Sequence, residues 1–266
     1  MSAALSFLEQ YQEGESFLHH ADARVKLIVT LAFIATLTAT PPRAWPVFLG
    51  YAVVEWSAVI GGGLSIRGTL KRSMLAPPFM LIAVPTVFTK PGDGLFSIPV
   101  LAWRWTATDQ GLVFSLSVLT KSWISVIAAG TLAVVTPVTD LTRAMRFIRI
   151  PKILVAVMAF MYRYLFVLVD EAMRLMRARE ARSARLGKKA GGPLLWRVRV
   201  AGHMVGSLFL RTYERSERIY MAMVARGYNG EVIILGQRRL TTVEGVFIIA
   251  VIATLVAAQV TAALIW

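Results

Sequence analysis

The chain has 266 residues, 56% of them hydrophobic, with a mean hydropathy of +0.62 and a net charge of +14. Soluble domains are about 45–50% apolar, so this composition excludes one and describes an integral membrane protein. There is no cysteine, and His19, His20 and His203 are the only histidines, which excludes disulfides and thiolate metal sites and leaves no obvious imidazole cage.

The first sixteen residues, MSAALSFLEQYQEGES, hold three acids and no lysine or arginine. They lack the charged and apolar regions of a signal peptide and read as mature chain at the surface. HHADARVKL leads into a first apolar run at about 25–40, which Pro41-Pro42 stops. A second run at about 45–60 returns to Gly61-Gly62-Gly63, and GGGLSIRGTLKRS reads as a basic connector. A third run at about 74–89 contains Pro77, Pro78 and Pro85, which predicts a bent or broken helix. PGDGLFSIPVLAWRWTATDQ opens on a turn and partly alternates, so it reads as a short hairpin or irregular loop, with Trp103 and Trp105 suited to a water–lipid boundary.

The fourth run, 111–135, is long enough to cross a core of about 30 Å. It carries Lys121 near its middle, which is either a functional charge or a lysine that snorkels or pairs with a buried acid. Lys121, together with Arg163 if its segment is embedded, stands out as a charge at membrane depth. A short amphipathic helix follows, with Thr139 or Asp140 as N-cap. After Pro151 comes one long helical pattern, apolar in its first half and charged in its second, in which Asp170 and Arg174 are spaced as an i,i+4 pair. Pro193 begins another helix extending to about Arg226, with Glu214 and Arg218 spaced the same way. Residues 242–266 can span again.

Residues 171–240 hold fifteen basic and five acidic residues, a surplus of ten out of the net fourteen. Beside membrane spans this bias marks a cytoplasmic face and needs no nucleic acid to explain it. If 152–169 also crossed, that block would lie outside. The reading is therefore an all-α membrane protein with about five spans: a membrane domain over 1–136, amphipathic cytoplasmic helices over 137–241, and a last span over 242–266. The 152–169 segment is apolar but non-spanning, and needs a partner or the interface to cover it.

Two tracts inside the basic region are alike: Ala181-Arg182-Ser183, and Ala225-Arg226-Gly227. Each sets an arginine near a helix end, with Gly187 or Gly227 placed to take the left-handed position after it. There is no phosphate-binding G-x-x-x-x-G-K-[ST] loop, no H-E-x-x-H and no G-x-S-x-G, so no catalytic or metal residue is assigned.

These tracts, with HHADARVKL, the stretch TPVTDLTRAMRFIRIPKILVAVMAFMYRYLFVLVDEAMRLMRAREARS and LFLRTYERSERIYMAMVARGYNG, carry a resemblance. The chain resembles the transmembrane T component of energy-coupling-factor transporters, most closely the cobalt-branch CbiQ family, over about half its length. The resemblance implies a coupling subunit of an ATP-driven importer in the bacterial inner membrane, binding no cofactor itself, with ATP and Mg hydrolysed by two ABC-type ATPase partners. It implies that Arg182 and Arg226 dock those ATPases, with Ala181, Ser183, Ala225 and Gly227 as close-packing neighbours. It also implies that 152–169, through Val155, Ala159, Tyr162 and Phe166, seats a substrate-binding membrane subunit. Ser183 and Lys121 depart from the family, which often has glycine and arginine there. Cobalt(II) is the expected substrate; nickel or vitamin import, or a stand-alone secondary transporter, are the alternatives. A lipid- or phosphate-acting membrane enzyme would need a clustered acid or histidine constellation, and ADARVKL alone does not supply one.

Overall fold

The apolar runs fold as helices because a chain in lipid must satisfy its backbone within itself. This computed structural model describes residues 11, 14, 16–74, 85–89, 94–100, 103–182, 194–230 and 241–265. The elements are α1 (Phe17–His20), α2 (Ala23–Ala39), α3 (Trp45–Gly61), α4 (Ile66–Ser73), α5 (Thr86–Thr89), strands β1 (Gly94–Val100) and β2 (Trp103–Thr108), α6 (Asp109–Val135), α7 (Val138–Phe147), α8 (Lys152–Arg182), α9 (Leu194–Ala225) and α10 (Thr242–Ile265). The protein is an all-α integral membrane protein bearing one antiparallel hairpin, β1–β2, where the alternating aromatic stretch predicts one. The third apolar run falls largely on 75–84, outside the described residues.

Helix starts follow local chemistry. Asp22 caps α2 by accepting from the Arg24 N–H at 2.8 Å, and Ser65 caps α4 by accepting from the Gly68 N–H. The second cap turns part of the basic connector into an amphipathic helix that the glycines conceal in the sequence. Thr108 caps α6, accepting from the Gly111 N–H at 3.2 Å and donating to the Val87 carbonyl. Gly111 is required there, because a Cβ would run into that same Val87 carbonyl. The helix after Pro137 starts at Val138, just ahead of the expected caps, and Asp140 pairs with Arg143.

Among the described residues, three helices are long and apolar enough to cross a membrane: α6, α8 and α10. The helices of the first two runs, α2 and α3, have 17 residues each, about 25 Å, and fall short of a 30 Å core unless the bilayer thins around them. The apolar half of α8, expected to lie outside the spans on charge grounds, has the length and hydropathy of a span, since no proline or glycine interrupts Lys152–Arg182.

The chain divides into two units, one of residues 10–144 with 238–266, the other of 1–9 with 145–237. In the first, Phe33 and Leu37 of α2, Phe48 and Tyr51 of α3, Ile124 and Ala128 of α6, and Leu255 of α10 make one buried cluster. Val59, Leu64, Ile127, Val134 and Val135 make a second. In the other unit α8 and α9 cross as two long helices. Val155 and Ala156 are the buried residues of α8, and α9 buries none.

Candidate functional site

The two arginines that the sequence singles out lie in one unit, at the ends of its two long helices. Ala181 and Arg182 close the described part of α8, and both are exposed; Ser183 lies outside the described residues. At the other helix end, Ala225 is the last residue of α9. Gly227 takes a left-handed φ of 84°, the Tyr228 N–H donates to the Met223 carbonyl, and the Gly227 N–H donates to the Val224 carbonyl. This pair of bonds is a Schellman closure, which satisfies carbonyls at the helix end and stops α9 sharply. Arg226 sits at the closure with its side chain exposed. Neither the Arg182 nor the Arg226 side chain has a hydrogen-bond or ion-pair partner among the described residues.

The expected i,i+4 pairs do not form. Asp170, Arg174, Glu214 and Arg218 all lack an ion-pair partner among the described residues. Glu171 instead reaches across from α8 to α9, where Arg211 Nη1 donates to its Oε1 at 2.8 Å. A side chain at a helix crossing can choose between its own helix and its neighbour, and here the neighbour wins.

The apolar segment of α8 also differs from expectation in detail. Val155 is 3% exposed, already covered within the chain, so it offers no open surface. Ala159, Tyr162 and Phe166 are half-buried, with the Tyr162 and Phe166 rings edge-to-face at 5.1 Å. The open side of the helix is Ile153, Leu154, Val157 and Met161, the last 62% exposed. Such a row of large apolar side chains needs lipid or a partner over it. Arg163 is exposed on the same helix.

Lys121 proves to be a fastener. Its Nζ donates to the carbonyls of Thr40 at 2.6 Å and Thr38 at 3.0 Å, at the end of α2, and lies 5.6 Å from the Phe48 ring. Its partners are backbone carbonyls, not the buried acid that sequence reasoning considers. Thr40 Oγ1 in turn donates to Gln259 Oε1 of α10 at 2.9 Å. At the other end of the same helix pair, Lys26 Nζ donates to the Val135 and His19 carbonyls, both at 3.3 Å.

Sequence reading misses Glu55. It is 7% exposed on α3, and the Thr131 hydroxyl of α6 lies 2.9 Å from its Oε1. The signal was present, since Glu55 is the one carboxylate inside the second apolar run. Among the described residues, no three histidine, aspartate or glutamate side chains gather as a metal cage.

Comparison with known proteins places this geometry. The CbiQ model, described as cobalt transport protein, matches residues 14–234. An uncharacterized protein of Methanocaldococcus jannaschii is 26% identical over 231 residues, covering 85% of this chain and 76% of its own. The energy-coupling factor transporter transmembrane protein EcfT of Brevibacillus brevis is 29% identical, covering 84% of each chain. The cobalt transport protein CbiQ of Rhodobacter capsulatus is 23% identical, covering 80% of this chain and 81% of its own. The match runs from the lead into α2 through the Schellman closure of α9, and the chain belongs to the CbiQ family of cobalt transport proteins.

Proposed function

We propose that the chain is the transmembrane coupling subunit of an ATP-driven importer of the energy-coupling-factor type, and that its substrate is cobalt(II). On this reading it lies in the bacterial inner membrane with the 137–241 region cytoplasmic. Two ABC-type ATPases dock on Arg182 and Arg226, and those partners bind and hydrolyse ATP with Mg. Ala159, Tyr162 and Phe166 seat a separate substrate-binding subunit. The metal is cargo held by that subunit, not by this chain.

The observation that carries the reading is the pair of unpartnered, exposed arginines at the ends of α8 and α9. Arginine suits a docking role because its planar fork can bond carboxylates or carbonyls in two directions, which lysine cannot do. Small neighbours, Ala181, Ala225 and Gly227, leave the helix ends narrow enough to enter a groove.

Co-purification of the ATPases and metal uptake test this. Arg182→Ala and Arg226→Ala each weaken one contact by roughly 2–5 kcal/mol, because each leaves the partner's acceptors unpaired. Either single variant still assembles through the remaining anchor, which keeps the second partner at high effective concentration. The double variant loses the ATPases and uptake, lysine at either site rescues poorly, and Arg179→Ala and Arg185→Ala have little effect. A double variant that retains both ATPases as firmly as the wild type refutes the docking role.

A further inference from the structure

A second arginine group lies away from the helix ends. Where α8 and α9 cross, a cleft of about 180 Å³ opens between them, lined by Val167, Leu168 and Glu171 of α8 and by Thr212, Glu214 and the arginines 211, 215 and 218 of α9. Arg211, Arg215 and Arg218 recur at four and three residues, so they form one stripe along α9. Arg211 is occupied by Glu171 at 2.8 Å. The side chains of Arg215, Arg218 and Glu214 have no ion-pair or hydrogen-bond partner among the described residues. The Thr212 hydroxyl is already spent on the Leu208 carbonyl at 2.6 Å. The donors left over are therefore two guanidinium groups.

Three arginines against two glutamates leave one positive charge in the cleft. One phosphodiester, with a single negative charge and oxygens spaced for guanidinium forks, balances it. The position along α8 argues for the source of that phosphate. The cleft begins at Val167 and Leu168, where the apolar half of α8 ends and its charged half starts at Asp170. Exposed Met161 and Leu165 continue the apolar side toward the start of the helix. Apolar side chains and free arginines lining one cleft match a molecule whose charged head adjoins a hydrocarbon tail. Free phosphate has no use for the apolar lining.

We propose that this cleft binds the phosphodiester headgroup of an anionic lipid, held by Arg215 and Arg218, with its acyl chains along the Met161–Leu165 side of α8. The bound lipid ties the crossing of the two long helices to the membrane surface. This site is separate from the helix-end arginines and does not depend on their docking role.

Native mass spectrometry of the full chain, released from micelles with equal amounts of phosphatidylglycerol and phosphatidylcholine, tests the proposal. The wild type retains phosphatidylglycerol in preference. A surface arginine contributes about 1 kcal/mol toward an anionic lipid, so Arg215→Gln and Arg218→Gln each lower the preference by about fivefold. Glu214→Gln raises it, a gain that damage to the fold does not produce. The pair Arg177→Gln with Arg199→Gln removes the same charge elsewhere and leaves the preference within twofold of wild type. An unchanged preference in the Arg215/Arg218 double variant, or an equal fall in the control pair, overturns the site. Displacement of the lipid by excess inorganic phosphate shows a free-phosphate site and overturns the lipid assignment.

Discussion

The two units of this chain use polar side chains in opposite ways. In the unit of residues 10–144 with 238–266, Lys26, Lys121, Glu55, Thr40 and Gln259 all bond to other groups of the same unit, across apolar helices that bury two hydrophobic clusters. In the unit of 145–237, two helices of 31 and 32 residues bury almost nothing and hold Arg182, Arg226, Arg215 and Arg218 without partners among the described residues. The first unit satisfies these polar groups within the chain, although it too exposes large apolar side chains such as Leu49, Val53 and Leu264. The second leaves large apolar side chains and free guanidinium groups for other molecules, so its stability as an isolated pair of helices is limited and its order depends on what covers it.

Substitutions at a buried and a half-buried position one turn apart on α8 give the largest test of that difference. Val155→Asp places an unpaired charge at a buried site and costs the protein itself roughly 3–5 kcal/mol, read as a lowered unfolding midpoint in detergent. Ala159→Asp, on a half-buried position, leaves the midpoint near wild type and reduces co-purification of a substrate-binding subunit. Equal midpoints for both variants remove the distinction between the covered and the half-buried position.

A smaller effect is expected inside the closed unit. Lys121→Met removes the charge-assisted bonds to Thr38 and Thr40 and costs about 2 kcal/mol, again as a lowered midpoint. Binding of ATPases falls no further than that loss of folded protein accounts for. A loss of transport at unchanged stability restores Lys121 as a functional charge.

The smallest effect falls at the end of α9. Gly227→Ala forces a side chain into the left-handed region and costs about 1 kcal/mol locally. The cost shows as faster amide exchange at Gly227 and Tyr228, with global stability unmoved. Unaltered exchange shows that the Schellman closure does not set the posture of Arg226.

Features written in a few adjacent residues were legible in the sequence. The glycine after Arg226, the alternation of the 94–108 stretch and the uninterrupted pattern from Lys152 each specify local backbone, and the structure shows the closure, the hairpin and the continuous helix. Ser65 with Gly68 was equally local, yet Gly61-Gly62-Gly63 drew the reading toward a loop, and helix α4 was missed. Contacts across the chain were not legible. Lys121 meets the carbonyls at the end of α2 about eighty residues away, and a carbonyl carries no mark in the sequence. Glu171 chooses Arg211 over any helical neighbour for the same reason, since a crossing point appears in no periodicity. The burial of Val155 beside open Leu154 and Val157 likewise depends on what lies over each side of an evenly apolar helix.

The two lysine fasteners also set a length. Lys26 and Thr40 are fourteen residues apart on α2, and Lys121 and Val135 are fourteen apart on α6, about 21 Å along each helix. The helices are antiparallel and each lysine grips the far end of the other, so the four positions form a closed frame with two equal long sides. Deleting one residue inside either side shortens it by about 1.5 Å and turns everything beyond by about 100°, so that one corner must open. A matching deletion in the other helix restores the length but not the facing of Phe33, Leu37, Ile124 and Ala128. The apolar residues within the frame can vary in kind, because the lysines hold main-chain oxygens that every residue supplies, whereas their number cannot.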